Sequence, residues 1–237
     1  MRPYLDPHDH AFANGPVFQR PASLEAARAM FDRPEDADRL MALFDSFERG
    51  AAVGEGLRLG LGARLLTPNG ERRVRIGRDC AIRGIIRCEG AGEAVLGDEV
   101  YVGDGVIVSV RARVEIGDGA LLAHGAQVFD NDTHPLDAET RARHFRAILK
   151  TGPKGVRPDD FEIPAAPVRI GPRCWLGFSS AVMKGVTLGE DAIVAAGAVV
   201  VADVPARSTV AGNPARIVKS ADRLAKGRGL FGRGSAS

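Results

Sequence analysis

Aromatic residues and net charge are both scarce in this chain. Aromatic residues make up 5% of the 237 positions; Lys plus Arg total 32 and Asp plus Glu total 30, which gives a formal net charge of +2. This balance argues against a dedicated nucleic-acid binder, which carries a concentrated basic excess. The apolar content of 45% excludes global disorder. The low aromatic content also argues against a large aromatic core.

Cysteine and long apolar runs are scarce as well. Three cysteines, an odd and low number, predict core thiols in a reducing compartment and no disulfide framework. No run approaches the 18 or so apolar residues of a membrane span. The opening sequence MRPYLDPHDHAF has no basic segment followed by an apolar one, as a secretory signal would. We therefore expect a cytoplasmic protein with no membrane span.

Glycine is abundant, with 29 residues, and from about residue 57 aliphatic residues recur every six positions. Six residues can form one short strand and a tight corner, and three such units close a coil of about 18 residues whose strands stack in parallel. The leading aliphatic residue of each unit would point inward. The pattern predicts a mainly β protein, a parallel β-helix of hexapeptide repeats. The leading residues are Ile76, Ile82, Cys88, Leu96, Val102, Val108, Val114, Ile116, Leu122, Val128, Ile170, Leu176, Val182, Leu188, Val194 and Val200.

The breaks in this repeat divide the chain. Residues 1–73 are expected to form a helical and irregular N-terminal cap, with helices beginning after Ser23 and at Pro34. Residues 74–219 would form the column. The polar, proline-containing interval 135–166 breaks the period and is expected to protrude as a loop, with a short helix over 141–150. Residues 220–237, rich in Gly, Arg and Ser, are expected to form a flexible tail.

Two segments are more specific than the repeat: DNDTHPLD at 130–137 and VAGNPAR at 210–216. Together with the repeats, they resemble the hexapeptide-repeat acyltransferases, and most of all the maltose, galactoside and surface-polysaccharide O-acetyltransferases. The resemblance covers roughly residues 74–219. It implies a left-handed parallel β-helix and a homotrimer with active sites between subunits. It also implies acetyl-CoA as co-substrate and a carbohydrate acceptor, and no metal is expected.

His134 is the candidate catalytic base, because it occupies a phase position that aliphatic residues hold elsewhere, at the edge of the loop. A neutral imidazole there could accept the proton of an acceptor hydroxyl. Asp130, Asn131 or Asp132 could orient its ring or bind the acceptor, and the sequence does not separate Asp130 from Asp132. Asp104 stands next to the position where resembling enzymes carry an acceptor-binding asparagine.

The resemblance also implies a donor site. Phe178 stands where a small residue is common, and Val201–Ala202 replaces a common Thr-Lys pair, so the donor groove departs from the family pattern. A guanidinium suits the phosphates of coenzyme A. The candidate donor-binding residues are Trp175, Gly177, Ala195, Ala196, Arg216 and, as a weaker second cation, Lys219.

Two alternatives remain open, and a third is disfavoured by the spacing of the histidines. The acceptor could be an amine on a nucleotide-linked sugar, or the column could be a noncatalytic scaffold. A β-helical carbonic anhydrase would need three histidines around zinc. His124, His134 and His144 are ten residues apart, which does not resemble that pattern, although His144 could approach a neighbouring site from the loop. His8 and His10 are weak metal-binding candidates.

Overall fold

The computed structural model describes residues 15–67, 72–152 and 160–220. His8 and His10, and all of the predicted tail except residue 220, lie outside these ranges. Three helices are present in the described residues, α1 (Leu24–Arg28), α2 (Pro34–Gly50) and α3 (Ala138–Thr151). Most of the remaining described chain consists of short strands joined by tight corners.

The strands form three sheets. Sheet A contains β1 (Phe18–Gln19), β3 (Arg58–Leu59), β6 (Ala81–Ile82), β9 (Tyr101–Val102), β12 (Leu121–Leu122), β15 (Trp175–Leu176), β18 (Ile193–Val194), β20 (Thr209–Gly212) and β21 (Ala215–Lys219). Sheet B contains β2 (Ala51–Val53), β5 (Val74–Ile76), β8 (Glu93–Leu96), β11 (Arg113–Ile116), β14 (Val168–Ile170) and β17 (Thr187–Leu188). Sheet C contains β4 (Arg64–Leu66), β7 (Ile85–Cys88), β10 (Ile107–Val110), β13 (Gln127–Phe129), β16 (Ala181–Val182) and β19 (Val199–Val200).

The chain passes through sheets B, A and C in turn, and each coil stacks on the one before it. Ile116, for example, pairs in parallel with Leu96 of the preceding coil and with Ile170 of the next. This arrangement is a mainly β, parallel solenoid of about seven turns, so the predicted fold class is confirmed. Every leading residue of the hexapeptide pattern is buried, and together they form one continuous apolar core.

The solenoid begins one coil earlier than the boundary predicted at residue 74. Strands β2, β3 and β4 already form a coil, and β2 pairs with β5 of the next one. Val53, Leu59 and Leu65 are six residues apart and carry the same periodic signal. The phase shifts between Leu65 and Ile76, which is where the boundary of the column was predicted one coil too late.

The N-terminal helices cover the open end of the first coil. The Ser23 hydroxyl accepts a hydrogen bond from the Ala26 amide (3.1 Å) and so caps α1, while Pro34 begins α2. The apolar face of α2 is buried and packs against β2, β3 and β4, which shields aliphatic side chains that no further coil covers. Helix α2 ends at Gly50, directly before β2.

After β13 the chain leaves the column and forms the loop that contains α3. The Asp132 amide donates to the Pro164 carbonyl (3.0 Å), and the Ala166 amide donates to the Asp130 carbonyl (2.8 Å), which closes the base of the loop. Helix α3 is longer than the predicted 141–150. The Asp137 carboxylate caps its first turn by accepting from the Thr140 amide (2.8 Å), and Gly152, with φ of 73°, ends it.

Candidate active site

The three sheets of the solenoid form the faces of a triangular prism. His134 lies at the base of the loop, on the edge of this prism where sheets C and B meet. Its side chain is exposed, and its Nδ1 is 3.1 Å from Nδ1 of His144, which is 7% exposed. The two rings meet edge to face with centroids 5.1 Å apart. His144 belongs to α3, so the loop helix brings a second imidazole onto the predicted base within the same chain.

The sequence does not predict this contact. It predicts only that His144 lies in the loop and could approach a neighbouring site. No local pattern marks the pair, because the contact requires α3 to fold back onto the base of its own loop. The pKa of His144 is lowered, first by burial and then by the nearby His134 and Arg111, while Glu89 acts in the opposite sense.

The sequence offers Asp130 as a residue that could orient His134, but in the structure its carboxylate binds the preceding coil. Its side chain is fully buried, and its Oδ1 accepts from the Arg111 amide (2.8 Å) and from Asn131 Nδ2 (2.9 Å). Its Oδ2 accepts from the Ala112 amide (2.8 Å). The carboxylate thus binds the corner of the preceding coil at the point where the loop leaves the column.

Asn131 and Asp132 also form contacts that shape the loop. Asn131 Oδ1 accepts from the Thr133 amide (2.9 Å), and Thr133 has a φ of 61°. Asp132 Oδ1 accepts from Lys184 Nζ (2.7 Å), and the Asp132 carbonyl accepts from the His134 amide (2.7 Å). Asp132 Oδ2 is buried without a hydrogen-bond partner. These contacts place His134 through the backbone.

Asp104 lies on a different edge of the prism, between sheets A and C. Its Oδ2 accepts from Nε of the buried Arg83 (2.8 Å) and lies 3.7 Å from His124 Nε2. A buried guanidinium requires such a counter-ion, so the Asp104 carboxylate is engaged by Arg83 at this corner. His124 is therefore beside Asp104 and not in a cluster with His134 and His144.

The predicted donor-binding residues lie along this same edge between sheets A and C and beyond it on sheet A. Trp175 is half exposed on β15, between Leu121 and Ile193. Ala195 and Ala196 follow β18 at the corner; Ala195 is partly exposed and Ala196 exposed. Arg216 is exposed on β21, and Lys219 of the same strand pairs with Thr209.

Gly177 has a structural explanation that does not involve a ligand. A Cβ atom at this position would lie 2.6 Å from the Ala196 nitrogen and 2.9 Å from the Val194 carbonyl oxygen. The close stacking of two coils therefore requires glycine at this corner. The following Phe178 is 63% exposed on the edge where the donor groove is expected.

The three cysteines are free and buried in the column. Burial raises the pKa of Cys80 and Cys174, and raises that of Cys88 to about 12. Thiolates, not thiols, react with electrophiles, so these residues are inert while the protein is folded.

Among the described residues, no group of three or more His, Cys, Asp or Glu side chains is arranged to hold a metal ion. Nor does any helix in the same ranges have the length and apolar character needed to cross a membrane.

In the described residues, stacked hexapeptide coils are interrupted by a helical loop with an exposed imidazole at its base, which is the architecture of a hexapeptide-repeat solenoid. Residues 167–202 match the family described as "Hexapeptide repeat of succinyl-transferase". The resemblance to the hexapeptide-repeat acyltransferases is confirmed.

Several curated proteins are similar in sequence. A probable acetyltransferase of Mycobacterium tuberculosis, Rv3034c, is 31% identical over 129 residues, 54% of this chain and 38% of that protein. A putative acetyltransferase of Saccharomyces cerevisiae, YJL218W, is 27% identical over 132 residues, 56% of this chain and 58% of that protein. The chain therefore aligns with less than two thirds of each of these relatives. The putative colanic acid biosynthesis acetyltransferase WcaF of Escherichia coli is 27% identical over 146 residues, 62% of this chain and 69% of that protein.

A solved structure shows the same fold. The N-acyltransferase AntD from Bacillus cereus, in complex with dTDP and 3-hydroxybutyryl-CoA, superposes with a TM-score of 0.56 at 14% identity. The match covers 76% of this chain and 88% of that one.

Proposed function

We propose that this protein is an acetyl-CoA-dependent O-acetyltransferase that acts on a hydroxyl of a sugar or polysaccharide precursor, with His134 as general base. The observation that carries this proposal is the exposed imidazole of His134 at the base of the loop, with its Nδ1 held by His144. The similarity to a putative colanic acid biosynthesis acetyltransferase favours a carbohydrate acceptor. With three reduced thiols in its core, the enzyme would work in the cytoplasm.

The proposed reaction needs one proton shuttle and no covalent enzyme intermediate. Neutral His134 accepts the proton of the acceptor hydroxyl as its oxygen attacks the thioester carbonyl. The carbon–sulfur bond then breaks, and the imidazolium returns the proton to the leaving thiolate. The products are an acetyl ester and free coenzyme A.

The residues on sheet A fit an extended acyl-CoA. Ala195 and Ala196 place only small side chains at their own corner, beside the exposed Phe178 of the preceding coil, so the pantetheine arm could lie against the backbone there. Trp175 offers an exposed aromatic surface beside this corner. At the end of the sheet, Arg216 provides the planar guanidinium that suits a phosphate, and Lys219 provides a second positive charge.

We further propose that the active form is a homotrimer whose sites lie between subunits. Within one chain, Trp175 and Ala195 lie at the edge between sheets A and C, whereas His134 lies at the edge between sheets C and B. In a ring of three copies with sheet C facing the axis, the first edge of one copy meets the second edge of the next. Such a ring would unite the base of one chain with the donor groove of its neighbour.

A binding measurement followed by a transfer assay tests this proposal. Calorimetric titration with acetyl-CoA should give saturable binding near one site per chain, and His134→Ala should retain that binding. With a sugar acceptor, His134→Ala should lose about 10²- to 10⁴-fold in turnover, as expected for removal of a general base. Release of coenzyme A can be followed with a thiol reagent, because the protein's own thiols are buried.

Each negative result has a distinct meaning. Near-normal transfer by His134→Ala would remove the base from the mechanism. Faster transfer to amino sugars than to their hydroxyl analogues would replace O-acetylation with N-acetylation. Failure to bind any acyl-CoA would leave the noncatalytic scaffold as the better description.

A further inference from the structure

The contact between His134 and His144 is asymmetric. His134 is exposed apart from its contact with the loop, whereas His144 is 7% exposed. On its other side His144 packs against the ring of Phe161, with centroids 4.8 Å apart. The Phe161 carbonyl in turn accepts from Arg111 Nη2 (3.2 Å). His144 is therefore held between the second limb of the loop and the predicted base.

The 3.1 Å separation of the two Nδ1 atoms requires one ring to donate and the other to accept. Two cationic rings would place N–H against N–H at this distance. Burial and the nearby Arg111 disfavour a proton on His144, and Glu89 is the acidic group that acts against them. The pair is therefore most stable near neutral pH with at least one neutral ring.

Two arrangements of the neutral pair are possible, and they differ in function. If His144 donates from Nδ1, His134 carries its own proton on Nε2 and has no lone pair on its exposed edge. If His144 accepts at Nδ1, His134 carries its proton on Nδ1, and its Nε2 presents a lone pair away from the contact. Only the second arrangement gives a base that can reach an acceptor hydroxyl.

We propose that His144 is a positioning residue for His134: its neutral ring accepts the Nδ1–H of His134 and so selects the tautomer in which Nε2 is free. This inference rests on the proposed function, since it assigns how that base is prepared. It also gives the loop helix a role within its own subunit, because α3 supplies the acceptor that sets the protonation of His134.

Three variants separate hydrogen bonding from packing. His144→Phe keeps an aromatic ring against Phe161 but has no acceptor. His144→Asn places an amide oxygen close to the former Nδ1 position and can accept the same hydrogen bond. Arg146→Ala lies on the same helix at an exposed position and serves as the matched control.

The first readout is the tautomer of His134, measured without any substrate. Long-range ¹H–¹⁵N spectra of histidine-labelled protein at neutral pH, with a chelator present to exclude adventitious metal, report which ring nitrogen carries the proton. We expect the Nδ1–H form in the native protein, in Arg146→Ala and in His144→Asn. In His144→Phe the Nε2–H form should become the major one, with a fall of about five- to tenfold in the Nδ1–H form, the factor that one hydrogen bond supports.

The second readout is kinetic. With an acceptor in hand, kcat of His144→Phe should fall by about the same factor while KM for acetyl-CoA is unchanged, and His144→Asn should recover most of the loss. A native His134 in the Nε2–H form, or an unchanged tautomer in His144→Phe, would overturn the positioning role. Because the spectra need no turnover, these results stand apart from a failure of the acetyltransferase assignment. If His144→Phe does not fold, the native spectrum and His144→Asn still decide the question.

Discussion

Replacing Asp130 with asparagine should destabilise the base of the loop more than it affects the chemistry directly. Both carboxylate oxygens are occupied: Oδ1 accepts from the Arg111 amide and Asn131 Nδ2, and Oδ2 accepts from the Ala112 amide, at 2.8–2.9 Å. In the variant, one of these oxygens becomes an NH₂ group that faces a buried donor. The side chain is fully buried, so water cannot take the place of the lost acceptor.

The magnitude follows from the bonds that are lost. A hydrogen bond to a charged group contributes about 1.5–3 kcal/mol, and a buried amide left unsatisfied costs about 1–3 kcal/mol. These contributions overlap, so we expect Asp130→Asn to lower the free energy of unfolding by about 2–4 kcal/mol. For a domain of this size the melting temperature would fall by about 5–15 °C.

Thermal melts at equal protein concentration, combined with hydrogen exchange of the Arg111 and Ala112 amides, measure this effect. The two amides should lose protection ahead of the rest of the column. Asp132→Asn is the matched control, since it removes one partly exposed ion pair with Lys184 and should cost about 1 kcal/mol or less. If Asp130→Asn melts like the native protein while transfer collapses, Asp130 takes part in the chemistry and the structural explanation is wrong.

Two further predictions concern packing and pH. Gly177→Ala should lower the free energy of unfolding by about 1–3 kcal/mol, because its Cβ would overlap the backbone at Ala196. Gly62→Ala, whose Cβ would approach only the Arg83 carbonyl at 3.5 Å, should be tolerated; equal stability of the two variants in urea would contradict the packing argument. The lowered pKa of His144 means that the unfolded chain binds its proton at higher pH than the folded chain does. Burying neutral His144 therefore favours the folded state above the ordinary histidine pKa of about 6.5, and this advantage is lost as the pH falls below that value. His144→Phe should have a smaller loss of stability between pH 7.5 and 5.5 in urea titrations, and an unchanged pH dependence would show that His144 is not the titrating group.

The hexapeptide phase was enough to predict the core of the column. Ile170, Leu176 and Val182 are six residues apart, and each points inward in a different sheet of one coil. The spacing predicts the core because the register of a stacked coil depends on local geometry. The position of each inward residue is set by its distance along the chain from the preceding corner. The boundary of the column was predicted one coil too late, at the point where this periodicity shifts between Leu65 and Ile76.

The core follows from local spacing, whereas most contacts of the site join residues that are distant in sequence, so the site was only partly predictable. His134 stood out because it interrupts an aliphatic phase, which is a local signal. The contact with His144 depends on how α3 folds back, and the engagement of Asp130 with Arg111 depends on the coil below. No spacing rule links residues across a loop of this length, so sequence reasoning could name these residues but could not assign their partners.

The break in the repeat explains why a cluster of polar side chains forms at the base of the loop. Within an unbroken column, each inward position must be small or aliphatic, because the next coil stacks directly on it. A buried carboxylate needs hydrogen-bond donors, and the two amides of the preceding coil at Arg111 and Ala112 supply them to Asp130 where the loop leaves the column. Once Asp130 anchors that point, the following residues can turn outward, and His134 emerges beside the helix that returns over it. The loop therefore places His134 at the surface, and through α3 it also supplies His144, the residue that can set the tautomer of His134.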